Sequence, residues 1–138
     1  GRTVLGVDRN RLQMHLAVLG KLGFPLHDRD VFVSAAGGLR ILEPAADLGI
    51  AVSVVSALRD RALDPHTMVF GEVGLVGEIR AVSHPAARLN EAARHGFRRV
   101  IAPVSSVEHA PKNLEVVGVR TLQEALAILF GAPRNKKR

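Results

Sequence analysis

Glu43-Pro44-Ala45-Ala46-Asp47-Leu48, running without a break into Gly49-Ile50-Ala51-Val52-Ser53-Val54-Val55-Ser56-Ala57-Leu58, is the stretch from which the fold is read. Proline at the first turn of a helix costs nothing, because the N–H it lacks would be unpaired there anyway. From 45 to 58 the predicted helix is apolar on nearly every face, which places it between layers as the core helix. Upstream, residues 3–7 form a β-type run, and 8–23 read as a first helix with Leu12, Leu16 and Leu19 at helical spacing and His15 and Leu22 alongside. Asp8 or Asn10 can cap it. Residues 31–35 and 39–42 are short apolar runs on either side of Gly37-Gly38, the pattern of two strands joined by a tight turn.

Downstream, Asp64-Pro65 marks a turn, and 67–73 and 78–82 read as strands around Gly71, Gly74 and Gly77. Ser83 or His84 caps a third helix with Pro85 in its first turn, Leu89, Ala92 and Ala93 facing inward and Gly96 ending it. A strand at 99–103, a loop with Pro111 and a strand at 114–119 follow. Thr121 and Glu124 then have the spacing of a capping box for a last helix that stops at Gly131. Helices and strands alternate with hairpins among them, so an α/β sandwich with a mixed sheet and packed helices is expected, in preference to a doubly wound parallel sheet.

A length of 138 residues gives one core. The expected division is a domain over 1–131 and a basic tail over 132–138. With 47% apolar and 23% charged residues the chain is far from the composition of disordered proteins. It has no cysteine, which removes disulfides and thiolate zinc sites and fits a reducing cytoplasm. No signal peptide opens it, and the apolar stretch 48–58 is too short to span a bilayer, so a soluble, cytoplasmic bacterial protein with no membrane partner is expected. The net charge is +6, but Arg134, Lys136, Lys137 and Arg138 supply four of those charges, leaving 6 − 4 = +2 on the body. Five phenylalanines with no Tyr or Trp argue against a base-stacking platform.

The helix opening at 43–48, then Phe70-Gly71-Glu72-Val73-Gly74-Leu75-Val76-Gly77-Glu78-Ile79-Arg80, then Glu91-Ala92-Ala93-Arg94-His95-Gly96-Phe97, follow the order and spacing of the Lon protease domain. The resemblance covers most of residues 30–130. It implies the Lon protease C-terminal-like fold, of the ribosomal protein S5 domain 2-like type. It also implies that an N-terminal hairpin usual in that fold is missing here, which would leave a sheet edge unpaired or paired by another copy. A catalytic Ser-Lys dyad needs a neutral lysine within hydrogen-bond reach of the serine. The family pattern puts Ala45 at the serine position and Ala86 at the lysine position, so the resemblance implies a degenerate centre and no peptidase activity.

Asp8-Arg9-Asn10-Arg11-Leu12, Ser56-Ala57-Leu58-Arg59-Asp60-Arg61, Phe70 before Gly71-Glu72, and Gly96-Phe97-Arg98-Arg99 are similar to the corresponding stretches of the RadA (Sms) family of bacterial DNA recombination and repair proteins. That resemblance implies a parent with a zinc finger and a hexameric, ATP-dependent motor that performs branch migration, hence ATP, Mg and Zn outside this domain and no cofactor within it. It also implies DNA and other copies of the chain as partners, with recombinase or replicative helicase machinery as further candidates. Gly20-Lys21 lacks both the earlier glycine and the following hydroxyl of a phosphate-binding loop. Two alternatives stay open. One is the Lon-like domain of another ATPase, such as the ComM or magnesium-chelatase-like group, and the other an active Ser-Lys peptidase.

Among residues left unclaimed, the six histidines at 15, 27, 66, 84, 95 and 109 show no metal-ligand spacing. Glu72 and Glu78 flank a glycine turn, where structural roles are favoured over an acid pair. Fifteen of the nineteen basic residues are arginine, the fork-shaped donor suited to phosphate and carboxylate. The candidates for DNA contact are Arg9, Arg11, Arg40, Arg59, Arg61, Arg80, Lys112, Arg134, Lys136, Lys137 and Arg138. For those in the body, salt bridges with Asp60, Glu43 or Glu78 compete with that role.

Overall fold

The computed structural model describes residues 2–5, 18, 31–34 and 44–131, with side chains described at 18 and 44–131. In order these form β1 (Arg2–Leu5), β2 (Val31–Ser34), a 3-10 turn (Pro44–Ala46) leading straight into α1 (Asp47–Arg59), β3 (Thr67–Val69), β4 (Glu72–Val73) and β5 (Ile79–Arg80). They continue with α2 (Pro85–Arg94), β6 (Arg99–Pro103), a 3-10 segment (Val104–His109), β7 (Glu115–Val119) and α3 (Leu122–Phe130). The first predicted helix lies outside the described residues except for Val18, which is helical and buried in the core.

A parallel sheet in the order β3-β6-β7 occupies the centre. Its middle strand reads Val100-Ile101-Ala102, all three fully buried, as a strand covered on both faces must be. Successive side chains of a strand point to opposite faces. Ile101 accordingly joins the cluster built from Leu48, Val52 and Val55 of α1 and Leu122, Ala125 and Leu126 of α3. Val100 and Ala102 join the cluster that holds Leu89 and Ala92 of α2. So α1 and α3 cover one face and α2 the other.

The α/β architecture agrees with the sequence reading, but the mixed sheet does not appear among the described residues. Antiparallel pairing is confined to a separate ribbon, β4 with β5, because the chain leaves the sheet plane after Phe70, the last residue bonded to β6. The expected strand over 67–73 is therefore two short strands on either side of that departure. Likewise, β2 pairs in parallel with β1, while the turn and second strand of the predicted hairpin lie outside the described residues.

The core helix is less enclosed than its composition predicts. Leu48, Val52 and Val55 are fully buried, each worth about 1.5–3 kcal/mol in transfer from water. Ser53 and Ala57, four apart, are exposed, and the Ser53 hydroxyl donates to the carbonyl of half-buried Gly49 at 2.8 Å. The helix closes with Arg61 N–H donating to Ser56 O at 3.0 Å and Asp60 N–H to Ala57 O at 3.3 Å. Asp60 there takes the left-handed conformation that Asp tolerates better than most residues. The same two-bond closure ends α2 at Ala92–Phe97. At the start of α2 neither Ser83 nor His84 caps the first-turn N–H groups with its side chain, and the Arg88 guanidinium folds back to donate to Ser83 O at 2.7 Å. At α3 the Thr121 hydroxyl accepts from Glu124 N–H at 3.0 Å, as its capping-box spacing predicts, and the Glu124 carboxylate accepts from Arg120 N–H at 2.6 Å, one residue earlier than the usual reciprocal bond.

Three bonds fasten the opening of α1 to the chain from Gly71 to Val73, at the entry to and within β4. Gly71 N–H donates to Ala45 O at 2.9 Å, Leu48 N–H to Gly71 O at 3.0 Å, and Val73 N–H to the Asp47 carboxylate at 3.1 Å. Asp47 is 1% exposed, a rare placement for a carboxylate that is tolerated only with hydrogen-bond partners. Replacing it with alanine strands a buried N–H, so Asp47→Ala should lower unfolding free energy by about 1–3 kcal/mol in urea titration. Asp47→Asn, which keeps an acceptor oxygen, should lose less. An alanine variant as stable as the parent would contradict this role.

Candidate functional site

Ala45 and Ala86, the two positions that the sequence reading aligned with a dyad, both fall at helix starts but in unlike surroundings. Ala45 is buried, in the cluster formed with Phe70, Leu89 and Val100, and its carbonyl is engaged by Gly71. Ala86 is exposed in the first turn of α2. The hydroxyls of Ser53 and Ser56 donate to the carbonyls of Gly49 and Arg61, both within α1 and its cap. Lys112, the lysine among the described residues, sits exposed in the loop before β7.

The β4–β5 ribbon carries the most organised polar cluster. Val73 pairs with Ile79 and Glu72 with Arg80, so the two glutamates flanking the turn do not face one another as an acid pair. Gly74 N–H donates to Glu78 O at 2.9 Å and Gly77 N–H to Gly74 O at 3.0 Å, closing a three-residue loop with Gly77 left-handed. The Glu78 carboxylate folds back over this loop. One oxygen accepts from Val76 N–H at 3.2 Å, and the other takes both Nε and Nη2 of Arg80, at 3.1 and 2.8 Å. A Cβ at Gly74 would lie 2.1 Å from that carboxylate, so only glycine leaves room for it. The ribbon is moored to α3 by Leu122 N–H donating to Gly77 O and Ile79 N–H to Arg120 O, both at 2.8 Å.

The candidate arginines separate into distinct structural situations. Arg80 is held by Glu78. Arg59 and Arg61 come together on the ring of Phe130, their guanidinium carbons 5.7 and 5.9 Å from its centre, and Arg61 also donates to Phe130 O at 2.6 Å. That bond satisfies a carbonyl at the last turn of α3, where a cation also opposes the negative end of the helix dipole. Arg9, Arg11, Arg40, Arg134, Lys136, Lys137 and Arg138 lie outside the described residues. Sequence reading missed Asp47 and the Arg88 and Arg120 positions at helix starts. A lone acid in an apolar helix opening was the available signal for Asp47. Among the described residues no group of three or more His, Asp or Glu side chains comes together as a metal would require. No described helix is long and apolar enough to cross a membrane.

Glu78 is held below its ordinary pKa of 4.5, first by the hydrogen bonds from Arg80 and then by those from backbone N–H groups. A folded-state pKa below the unfolded value means the bracing is fully present above 4.5 and is lost as pH falls through the lower, folded-state value. In an NMR titration the Val76 amide should therefore shift with a midpoint below 4.5, and Gly74→Ala, which evicts the carboxylate, should move the Glu78 midpoint back up toward 4.5. A midpoint unchanged by that substitution would contradict the brace.

Comparison with known proteins gives two findings. A family model described as "Subunit ChlI of Mg-chelatase" matches residues 7–106. Proteins named DNA repair protein RadA are similar over most of the chain. Those of Halalkalibacterium halodurans and Pseudomonas aeruginosa are each 47% identical over 94% of it, and that of Escherichia coli is 46% identical over 92%. The chain spans less than a third of these relatives, 29%, 29% and 28% of their respective lengths. The resemblance to RadA read from residues 8–12, 56–61 and 96–99 thus extends along nearly the whole chain. With more than half of its length matched by the family model, the chain belongs to the family described as subunit ChlI of Mg-chelatase, and the relatives it resembles at 41–47% identity are bacterial DNA repair proteins of the RadA type.

Proposed function

We propose that this chain is a noncatalytic, Lon-protease-like domain of an ATP-dependent DNA recombination and repair protein of the RadA type, serving hexameric ring assembly and sequence-independent DNA contact. The observation that carries the reading is the sequence similarity to RadA proteins along nearly the whole chain, together with alanine at both positions where the Lon pattern has its serine and lysine. Burial of Ala45 among Phe70, Leu89 and Val100 supports it, since a hydroxyl there would enter an apolar cluster instead of facing substrate. ATP, Mg and Zn belong, on this reading, to the part of the relatives that the chain does not span. The protein would act in the bacterial cytoplasm, on DNA and alongside other copies of itself. The match to the magnesium-chelatase family favours a second reading, the corresponding domain of a ComM-like ATPase. A zinc finger and phosphate-binding loop encoded upstream would decide for the first.

DNA contact should be electrostatic. The body carries +2 and the last five residues +4, and log affinity changes with log salt by about −0.9 per phosphate neutralised on duplex. Deleting residues 134–138 should flatten the salt slope by roughly three to four if the tail dominates. If instead Arg11 and Arg40 dominate, Arg11→Ala with Arg40→Ala should weaken binding more than the deletion does. Absence of binding at low salt would remove DNA contact and leave assembly alone. On unfolded protein substrates no peptide bond cleavage is expected, and cleavage blocked by a serine-directed reagent would overturn the noncatalytic reading.

A further inference from the structure

The loop between β4 and β5 spends its bracing on holding two large apolar side chains in water. Leu75 is 63% exposed and Val76 83%, far more than any other large apolar residue described. Tight turns usually carry polar residues and glycine. Here the glycines are present and the two tip positions are Leu and Val, fixed from below by the Glu78 carboxylate and by the mooring to α3. A preorganised apolar knob loses little conformational freedom on docking, which is what a contact of modest area needs.

A second exposed apolar pair lies on the 3-10 segment after β6. Val104 and Val107 are each 39% exposed, and the segment is pressed onto β7 at Gly118, where a Cβ would lie 2.7 Å from the Val107 side chain and 2.8 Å from the Val104 backbone. This patch is therefore closely seated on the sheet. The charges beside the two are opposite in kind. Next to the knob, Glu78 and Arg80 cancel one another, leaving the exposed Arg120, whose backbone carries the ribbon and whose guanidinium makes no bond among the described residues. Next to the patch stands exposed Glu108, with only a 4.0 Å approach to His109.

We infer that Leu75 and Val76 of one copy dock on Val104 and Val107 of a second copy, with Arg120 facing Glu108 across the contact. The inference rests on the assembly reading above and names the surface that reading lacks. Such a contact joins two different patches, so it can propagate from copy to copy, as closure of a ring demands. A protein partner is favoured over nucleic acid because the tip itself is hydrocarbon, Leu75 and Val76, and Arg120, the single free cation beside it among the described residues, has a carboxylate of opposite charge in Glu108 next to the second apolar pair.

The absence of cysteine makes a direct test simple. Chains carrying Val76→Cys or Val107→Cys are mixed under mild oxidation at concentrations where light scattering detects association. The mixture should give a disulfide dimer that neither variant gives alone, and the double variant should give a ladder. Arg120→Glu should weaken association at least tenfold and Glu108→Arg in the same chain should restore it. Association without the mixed disulfide overturns this surface while leaving assembly intact. Crosslinking of Val76→Cys with itself overturns it in favour of a knob-to-knob contact. A monomer at every concentration overturns both readings. If Leu75→Ser with Val76→Ser leaves association unchanged but weakens DNA binding, the knob is a nucleic-acid wedge and the inference fails.

Discussion

The buried carboxylate of Asp47 is the constraint on which the rest depends. It sits where the core helix begins, and through Val73 N–H it fixes where the chain leaves the sheet and turns into the ribbon. The neighbouring bonds, Gly71 to Ala45 and Leu48 to Gly71, fix the same junction from the backbone alone. A helix apolar on most of its surface has no strong preference of its own for rotation about its axis. The junction supplies it, turning Leu48, Val52 and Val55 inward and Ser53 and Ala57 outward. Around it, β6 fills the middle of the sheet, α3 joins the core helix on one face and α2 covers the other.

The same junction sets the surroundings of Ala45, the position that the sequence reading aligned with a serine nucleophile. At the start of the core helix Ala45 lies in an apolar cluster with its carbonyl already engaged by Gly71. The most organised polar cluster lies on the β4–β5 ribbon, at Glu78 and Arg80. There the hydrogen bonds serve shape: they hold a loop whose outer atoms are hydrocarbon. Arginine is used in a similar structural way elsewhere, with Arg88 over the start of α2 and Arg61 over the end of α3.

Much of this was legible in the residues. Pro44 and the apolar run announced the core helix, Gly96 the end of α2, and Thr121 with Glu124 the start of α3, because each depends on contacts within a few positions. What could not be read depended on distant contacts. The chain's departure from the sheet after Phe70 is decided by residues 45–48, and the partner of Arg61 is 69 positions away. The arginines show the limit most clearly. Sequence offers a uniform set of cations, whereas in the fold Arg80 is neutralised by Glu78 and Arg59 and Arg61 are laid on Phe130. Which cations are free to meet a phosphate depends on these pairings, and composition does not reveal them.

The long reach between Arg61 and Phe130 has a consequence for biogenesis. The core helix is made early, but the face it turns toward α3 stays uncovered until residue 130 has been synthesised, since the covering residues Leu122, Ala125, Leu126 and Phe130 come last among those described. At roughly 5–20 residues per second of elongation, the interval between residues 61 and 130 is on the order of 3–15 seconds. For that time a strongly apolar helix is available to other nascent chains or to chaperones. Truncations that remove α3 should be judged in this light, because they would prolong indefinitely an exposure that translation ordinarily ends.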